Sequence, residues 1–277
     1  MSHDYKQLSV RREMPAIWRV TFDNAPINLV DYETLDDLQA LVTELEGSSE
    51  VKVVVFDSAD PDFFLAHWDI AATRKADADG PAASWTEVSL RLAHAPVVSI
   101  ALIRGRARGL GSEIALGLDM RFASTERAIL AQPEVGVGLI PGGGSVERLS
   151  LLAGRARALE IVLGAGDYDA STAERYGWIN RAVPDAQLDV FVDDLAQRLA
   201  SFDKPALAEA KRLLNRQGIP AAEALQASTA AFYQAFSWPG TKVRAKALMG
   251  LGFGSRNDFE MHFGDYLAGL VREQDAT

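Results

Sequence analysis

Residues 97–144 constrain the fold of this chain more than any other stretch, because short apolar runs alternate there with glycine loops and a glutamate stands beside two of those loops. The stretch reads VVSIALIRGRARGLGSEIALGLDMRFAS and then, after Thr125, Glu126 and Arg127, AILAQPEVGVGLIPGGG. Residues 97–103 form a β-branched run after Pro96, which suits a buried strand. Gly105, Gly109 and Gly111 follow, ahead of a helix-like segment over 110–118. A strand, a glycine turn and a helix start thus succeed one another. The N–H groups of a helix's first turn have no intrahelical acceptor and carry partial positive charge, so such a turn can hold an oxygen that becomes negative during a reaction. Glu113 falls in that first turn.

Upstream, Ile17–Phe22 alternates weakly and runs into Asp23, Asn24, Ala25 and Pro26, which predicts a strand entering a loop. Leu35, Leu38, Leu41, Val42 and Leu45 recur at helical spacing between a capping Asp31 and a terminating Gly47. Residues 51–56 (VKVVVF) predict the second clear strand, and residues 57–69 a loop that returns to the core at FFLA. A mobile crossing over 78–83 and a helix over 84–93 lead back to the central stretch. This alternation implies right-handed crossovers and a largely parallel sheet covered by helices. Beyond Gly144, helices are predicted over 146–153 and 155–163, and a last short strand over 178–183. From Pro184 the chain reads as helix after helix, over 188–199, 205–214, 221–236, 242–251 and 259–270. Phe232, Tyr233, Phe236, Trp238, Phe253, Phe259, Phe263 and Tyr266 make this tail more aromatic than solubility requires, so it should fold over the core or meet a neighbouring subunit.

With 277 residues, 48% of them hydrophobic, the chain has material for one main domain and an appendage. A formal charge of −10 repels nucleic-acid backbones and anionic membranes, so neither is an expected partner. The absence of cysteine excludes disulfides, thiolate metal sites and a cysteine nucleophile, and fits a reducing cytoplasm. MSHDYKQLSV lacks an apolar signal core, and no run reaches the roughly 20 apolar residues that span a bilayer. A cytoplasmic protein is expected.

Glu113 and Glu134 each stand among glycine and apolar residues. Two partly buried carboxylates facing one pocket can divide acid and base duties, because burial raises the pKa of the less well solvated one. The simpler alternative leaves Glu113 complementing a helix dipole and Glu134 as a loop carboxylate. Gly136 and Gly138 lead to Pro141 instead of a third glycine, and the run from Gly142 to Ser145 lacks the lysine of a phosphate-binding loop, which disfavours nucleotide readings. His67 and Asp69 have no further ligand nearby, so no metal site is expected. Arg104, Arg106 and Arg108 alternate and would project together from extended backbone, onto a phosphate or, as is favoured, into a solvated or salt-bridged face.

In order along the chain, FFLAHWDI, RGRARGLGSEIALGLDMRFAS, AQPEVGVGLIPGGGSVERL and GDYDASTAERYGWINRAV resemble the crotonase superfamily, particularly its enoyl-CoA hydratases and isomerases. The resemblance spans roughly residues 17–215, and several separated motifs in agreement are more specific than any one. It implies an α/β fold of the crotonase-like kind, with repeated ββα/βαβ turns making the core over 1–200. A helical C-terminal region over 201–277 would cover the active site and build trimers, often paired into hexamers. It implies that the backbone N–H groups of Trp68 and Leu110 form an oxyanion hole for a thioester enolate. Glu113 and Glu134 would be the catalytic carboxylates that position water, deliver its oxygen to the β-carbon and protonate the α-carbon. Ala66, His67, Asp69, Ile70, Gly109 and Pro133 would be substrate- or CoA-binding positions. Coenzyme A would arrive as part of an acyl-CoA thioester substrate, with no separate cofactor and no metal.

The activity so implied is hydration of a 2-enoyl-CoA to a 3-hydroxyacyl-CoA. Isomerisation, decarboxylation and thioester hydrolysis are the nearest alternatives, since the superfamily shares its oxyanion hole across them. A non-catalytic CoA-ester or RNA-binding relative is the alternative of another class; the acidic charge and the retention of both glutamates weigh against it. The chain departs from the family pattern at His67, where glycine is usual, at Trp68, where a small residue is usual, and at Leu110, the middle glycine of the turn. Arg104 and Arg106 replace an asparagine and an aromatic residue. Each non-glycine residue can still donate its N–H but brings a side chain to the pocket. The Trp68 indole would either fill acyl or pantetheine space or turn into the core and fix the loop.

Overall fold

The computed structural model describes residues 3–74 and 83–270. The chain runs β1 (Leu8–Met14), β2 (Ile17–Phe22), α1 (Tyr32–Gly47), β3 (Val53–Ser58), β4 (Phe63–Leu65), α2 (Trp85–His94), β5 (Val98–Ile103), β6 (Arg106–Arg108), α3 (Leu110–Gly117), β7 (Met120–Ser124) and β8 (Ile129–Ala131). A single 3₁₀ turn (Glu134–Val137) leads to α4 (Ser145–Leu152), α5 (Arg155–Gly164), β9 (Asp167–Asp169), α6 (Ala170–Tyr176) and β10 (Arg181–Val183). Helices α7 (Asp185–Ala200), α8 (Lys204–Gly218), α9 (Ala222–Ala235), α10 (Pro239–Gly250), α11 (Asp258–Met261) and α12 (Phe263–Leu267) complete it.

Two sheets result. The larger has the order β1-β2-β3-β5-β7-β10 and is parallel except for the β1–β2 hairpin. The smaller has the order β4-β6-β8-β9, with only β9 antiparallel. After β3 and β5 the chain steps into the smaller sheet for one short strand before returning, and after β7 for two, β8 and β9. This is the repeated βαβ-type arrangement of the crotonase fold, with a helical C-terminal region, as the resemblance implied.

The physical reasons are local. β3 and β5 read as unbroken apolar runs because both faces are covered, Val54 and Ala101 packing toward α1–α3 and Val53, Val55, Val98 and Ile100 toward Leu188, Val192 and Ala196 of α7. α1 starts where expected: the Asp31 carboxylate accepts from Thr34 N–H at 3.0 Å, and the Thr34 hydroxyl accepts from Asp31 N–H at 3.2 Å. Several expectations need correction. FFLA is not loop but contains β4, and the glycine-rich 105–111 segment contains β6. The 259–270 helix is broken at His262 into α11 and α12, and the 178–183 strand is confined to β10. Most of the predicted 78–83 crossing lies outside the described residues. Among the described residues no helix is long and apolar enough to cross a membrane.

The C-terminal helices close over the core. Val137, Leu139 and Ala165 pack with Ala235, Leu248, Phe259, Phe263 and Leu267 in a separate apolar cluster. α8 is tied down by Lys211, whose buried ammonium donates to the Leu92 and Val97 carbonyls and to the Asp119 carboxylate at 2.8 Å.

Candidate active site

The loop after β4 makes one wall. Val30 N–H donates to the His67 carbonyl and Asp69 N–H donates to the Val30 carbonyl, each at 2.9 Å. In such a parallel bridge the residue between, Trp68, keeps its own N–H on the side away from Val30. The opposite wall is the turn at Gly109, where φ is +50° and a Cβ would come within 3.0 Å of Glu134 Oε1. Glycine is required there both by that backbone angle and by the carboxylate behind it. Leu110 then opens α3, and its N–H belongs to the first turn, which has no intrahelical acceptor.

Glu113 is 2% exposed. Its Oε1 accepts from Gly143 N–H at 2.8 Å, from Ser145 N–H at 3.1 Å and from the Ser145 hydroxyl at 2.9 Å. A Cβ at position 143 would stand 2.5 Å from Glu113 Oε2, which explains the glycine run Gly142–Gly144 without any phosphate. Burial pushes the Glu113 carboxyl above its ordinary pKa, and the Ser145 and Gly143 donors pull it part of the way back. Glu134, placed by Pro133 at the start of the 3₁₀ turn, has a buried Oε2 with no hydrogen-bond partner. Burial, and then the charge of Glu113, hold its carboxyl well above the usual range. Unequal surroundings make Glu113 the better carboxylate and Glu134 the better acid.

Both carboxyls, Trp68, Leu110, His67, Ile70, Gly109 and Pro133 line one cavity of about 390 Å³. Ala66 and Asp69 lie outside that lining. Ala66 is buried with Ile27 and Phe63, and Asp69 turns back to accept from Ala71 N–H at 2.8 Å. The three arginines are absorbed by the protein: Arg104 pairs with Asp185 and Asp189, Arg106 donates to the Met261 carbonyl, and Arg108 pairs with Asp167. Trp85 and Tyr32 line the cavity too, although no sequence motif pointed to them, and Trp85 Nε1 donates to the Gly143 carbonyl at 3.1 Å. Phe232, Tyr233, Phe236, Phe253 and Phe263 belong to the aromatic excess of the tail, and all five face this cavity. Among the described residues no group of three or more His, Asp or Glu side chains is placed to hold a metal.

Fold and site together define an α/β protein of the crotonase superfamily. A family model described as enoyl-CoA hydratase/isomerase matches residues 12–250, and the chain belongs to that family. It is 32% identical over 195 residues to a short-chain-enoyl-CoA hydratase of Clostridium acetobutylicum, covering 69% of this chain and 74% of that protein. A crystal structure from Streptomyces avermitilis, provisionally named an enoyl-CoA hydratase, is similar with a TM-score of 0.91 and 43% identity, covering 97% of this chain and 98% of that one. Pseudomonas aeruginosa DspI is similar with a TM-score of 0.71 and 28% identity, covering 85% of this chain and 98% of that one.

Proposed function

We propose that this protein is a cytoplasmic enzyme that adds water across the α,β double bond of a 2-enoyl-CoA thioester, giving the 3-hydroxyacyl-CoA. The observation that carries the reading is the pair of buried glutamates in one cavity, one with three donors on a single oxygen and the other with a buried oxygen that has none. The name of the Clostridium acetobutylicum relative supports it. Glu113 takes a proton from water as the water oxygen bonds to the β-carbon. The double-bond electrons move toward the thioester oxygen, which the Trp68 and Leu110 N–H groups hold as an enolate; loss of one such donor typically costs about 10²–10³ in rate. Glu134 passes its proton to the α-carbon, and exchange with solvent restores both carboxyls.

The test is incubation with 2-enoyl-, 3-enoyl- and malonyl-type CoA thioesters, with products identified by mass. Gain of one water supports hydration. A shifted double bond at unchanged mass, loss of carbon dioxide, or release of free acid would each assign a different reaction. Among the described residues no lysine or arginine lines the cavity, so an acyl chain ending in a carboxylate would bury an unpaired charge beside two glutamates. Glutaconyl-CoA is therefore expected to fall behind hexenoyl-CoA by about 10²-fold or more in kcat/KM. Equal turnover of the two would overturn this expectation.

The reading includes a homo-oligomer, a trimer or a hexamer. Leu151, Leu152 and Leu163 on α4 and α5 and Leu214 on α8 are exposed, Leu214 at 76%. Such surface is costly to leave in water. Sedimentation is expected to give a trimer or its multiple, and truncation after Pro205 to give aggregates or monomers. A clean full-length monomer would count against assembly.

A further inference from the structure

His67 and Glu260 are buried and ionisable, and the hydration chemistry does not use them. Their side chains are 5% and 0% exposed. His67 Nδ1 lies 2.9 Å from the Trp68 carbonyl oxygen and Nε2 lies 3.1 Å from Glu260 Oε1. A carbonyl only accepts, and Glu260 Oε1 already accepts from Gly254 N–H at 2.7 Å. Nδ1 therefore donates to that carbonyl, and a single shared proton joins Nε2 to the Glu260 carboxyl. Burial pushes the Glu260 carboxyl up, but the His67 bond and charge, the Gly254 N–H and Arg108 outweigh it and hold the carboxyl below its ordinary pKa. Phe253 stacks on the His67 ring at 4.0 Å with an interplanar angle of 13°, which fixes its plane.

The same α11 residue reaches the other wall of the cavity. Arg108 Nη1 donates to the Glu260 carbonyl at 2.5 Å, and Arg108 Nε donates to Asp167 at 2.8 Å. His67 immediately precedes Trp68 in the chain, and Arg108 immediately precedes the Gly109–Leu110 turn. Through its side chain Glu260 holds one of these segments, and through its main chain it holds the other. We infer that His67 and Glu260 are positioning residues that set the spacing between the Trp68 and Leu110 N–H groups, and thereby the polarisation of a bound thioester carbonyl. This rests on the N–H pair of the proposed function. It differs from a packing role, in which the ring only fills space under Phe253.

The experiment uses hexanoyl-CoA labelled with ¹³C at the thioester carbonyl, which binds but has no double bond to hydrate. Wild type, Glu260→Gln and the paired variant His67→Phe/Glu260→Leu are compared; the paired variant removes both ionisable partners at once and leaves neither buried alone. Bound to wild type, the carbonyl resonance is expected to move downfield from its free position. Both variants are expected to lose much of that displacement while their dissociation constants change less than about 3-fold, and with a 2-enoyl-CoA kcat should fall about 10- to 100-fold at nearly constant KM. An unchanged bound resonance in either folded variant overturns the inference. So do losses of kcat and affinity that fall together with melting temperature, which is the signature of packing. A wild type that does not bind the probe, or binds it without displacement, overturns it as well. A displaced resonance in a wild type that hydrates nothing leaves the positioning role standing and removes only the proposed reaction.

Discussion

Glu113→Gln and Glu134→Gln are each expected to lose about 10²–10⁴ in turnover while binding a CoA thioester almost as well as wild type. In the first variant the new amide oxygen can still accept from Gly143 and Ser145, so the loop that closes over it keeps its anchor. At position 134 the substituted oxygen has no partner to lose. What disappears is proton transfer, the base at position 113 in one variant and the acid at position 134 in the other. Steady-state kinetics on a 2-enoyl-CoA, with binding measured separately, separates the loss in kcat from any change in affinity. Near-full activity in either variant would remove that carboxylate from the chemistry. An isomerase would be expected to tolerate Glu113→Gln and not Glu134→Gln.

The same substitutions carry the opposite sign for stability. Both carboxyls titrate above their ordinary values, with burial the first cause for each. Between the ordinary and the raised pKa, the native protein holds protons that the unfolded chain has released. The contribution of these two groups to stability is therefore greatest at or below the ordinary carboxylate range and is lost as pH rises through their raised values. Glu134→Gln removes the share of that dependence that belongs to position 134. It should melt above wild type near neutral pH and lose the advantage as pH falls toward the ordinary glutamate value. An inactive variant that is more stable than its parent is the outcome that a cavity built around function predicts.

How much of this was legible in the sequence depended on how local the determining interactions are. The Asp31 cap is set by neighbours within a few residues, and the burial of the α1 leucines and of both faces of β5 shows as a local apolar pattern, so the chain displays them. The two glutamates were legible as a pair only through the spacing of several motifs, since each alone is also consistent with a helix dipole partner or a loop carboxylate. β4, β6, β8 and β9 have three residues each, too few for any period to appear, and they exist because Phe63 pairs with Arg106 and Arg106 with Ile129. The far wall of the cavity was least legible. Glu260 meets His67 from 193 residues away, and nothing near Glu260 in the sequence says that a histidine waits for it. The aromatic excess of the tail was visible, yet its use was not: Phe232, Phe253 and Phe263 face the cavity, while Trp238 remains 42% exposed.

Trp68→Ala is expected to act on stability and on substrate choice together. The indole stands edge-on to Tyr32, with ring centres 5.1 Å apart and planes at 90°, and both rings line the cavity. It also packs against the main apolar core, so one side chain both shapes the pocket and fixes the loop. Removing it leaves a space where a ring was. The expected loss is about 3 kcal/mol, the lower end of the range for a tryptophan cut to alanine, because the indole is only partly buried. About 0.5–1.5 kcal/mol of this belongs to the pairing with Tyr32, so Tyr32→Leu should reproduce part of the same loss when tested alone. The main-chain N–H at position 68 survives the substitution, so turnover should persist where the protein folds. With the pocket enlarged, branched and bulky enoyl-CoA substrates should gain in kcat/KM relative to crotonyl-CoA, by the factor that about 1–3 kcal/mol per methylene allows. Melting temperature and kcat/KM across straight and branched 2-enoyl thioesters are measured on the same preparation. A wild-type melting temperature with an unchanged substrate order would place this loop away from the reacting carbon, and the Trp68 N–H would then have no thioester oxygen to hold.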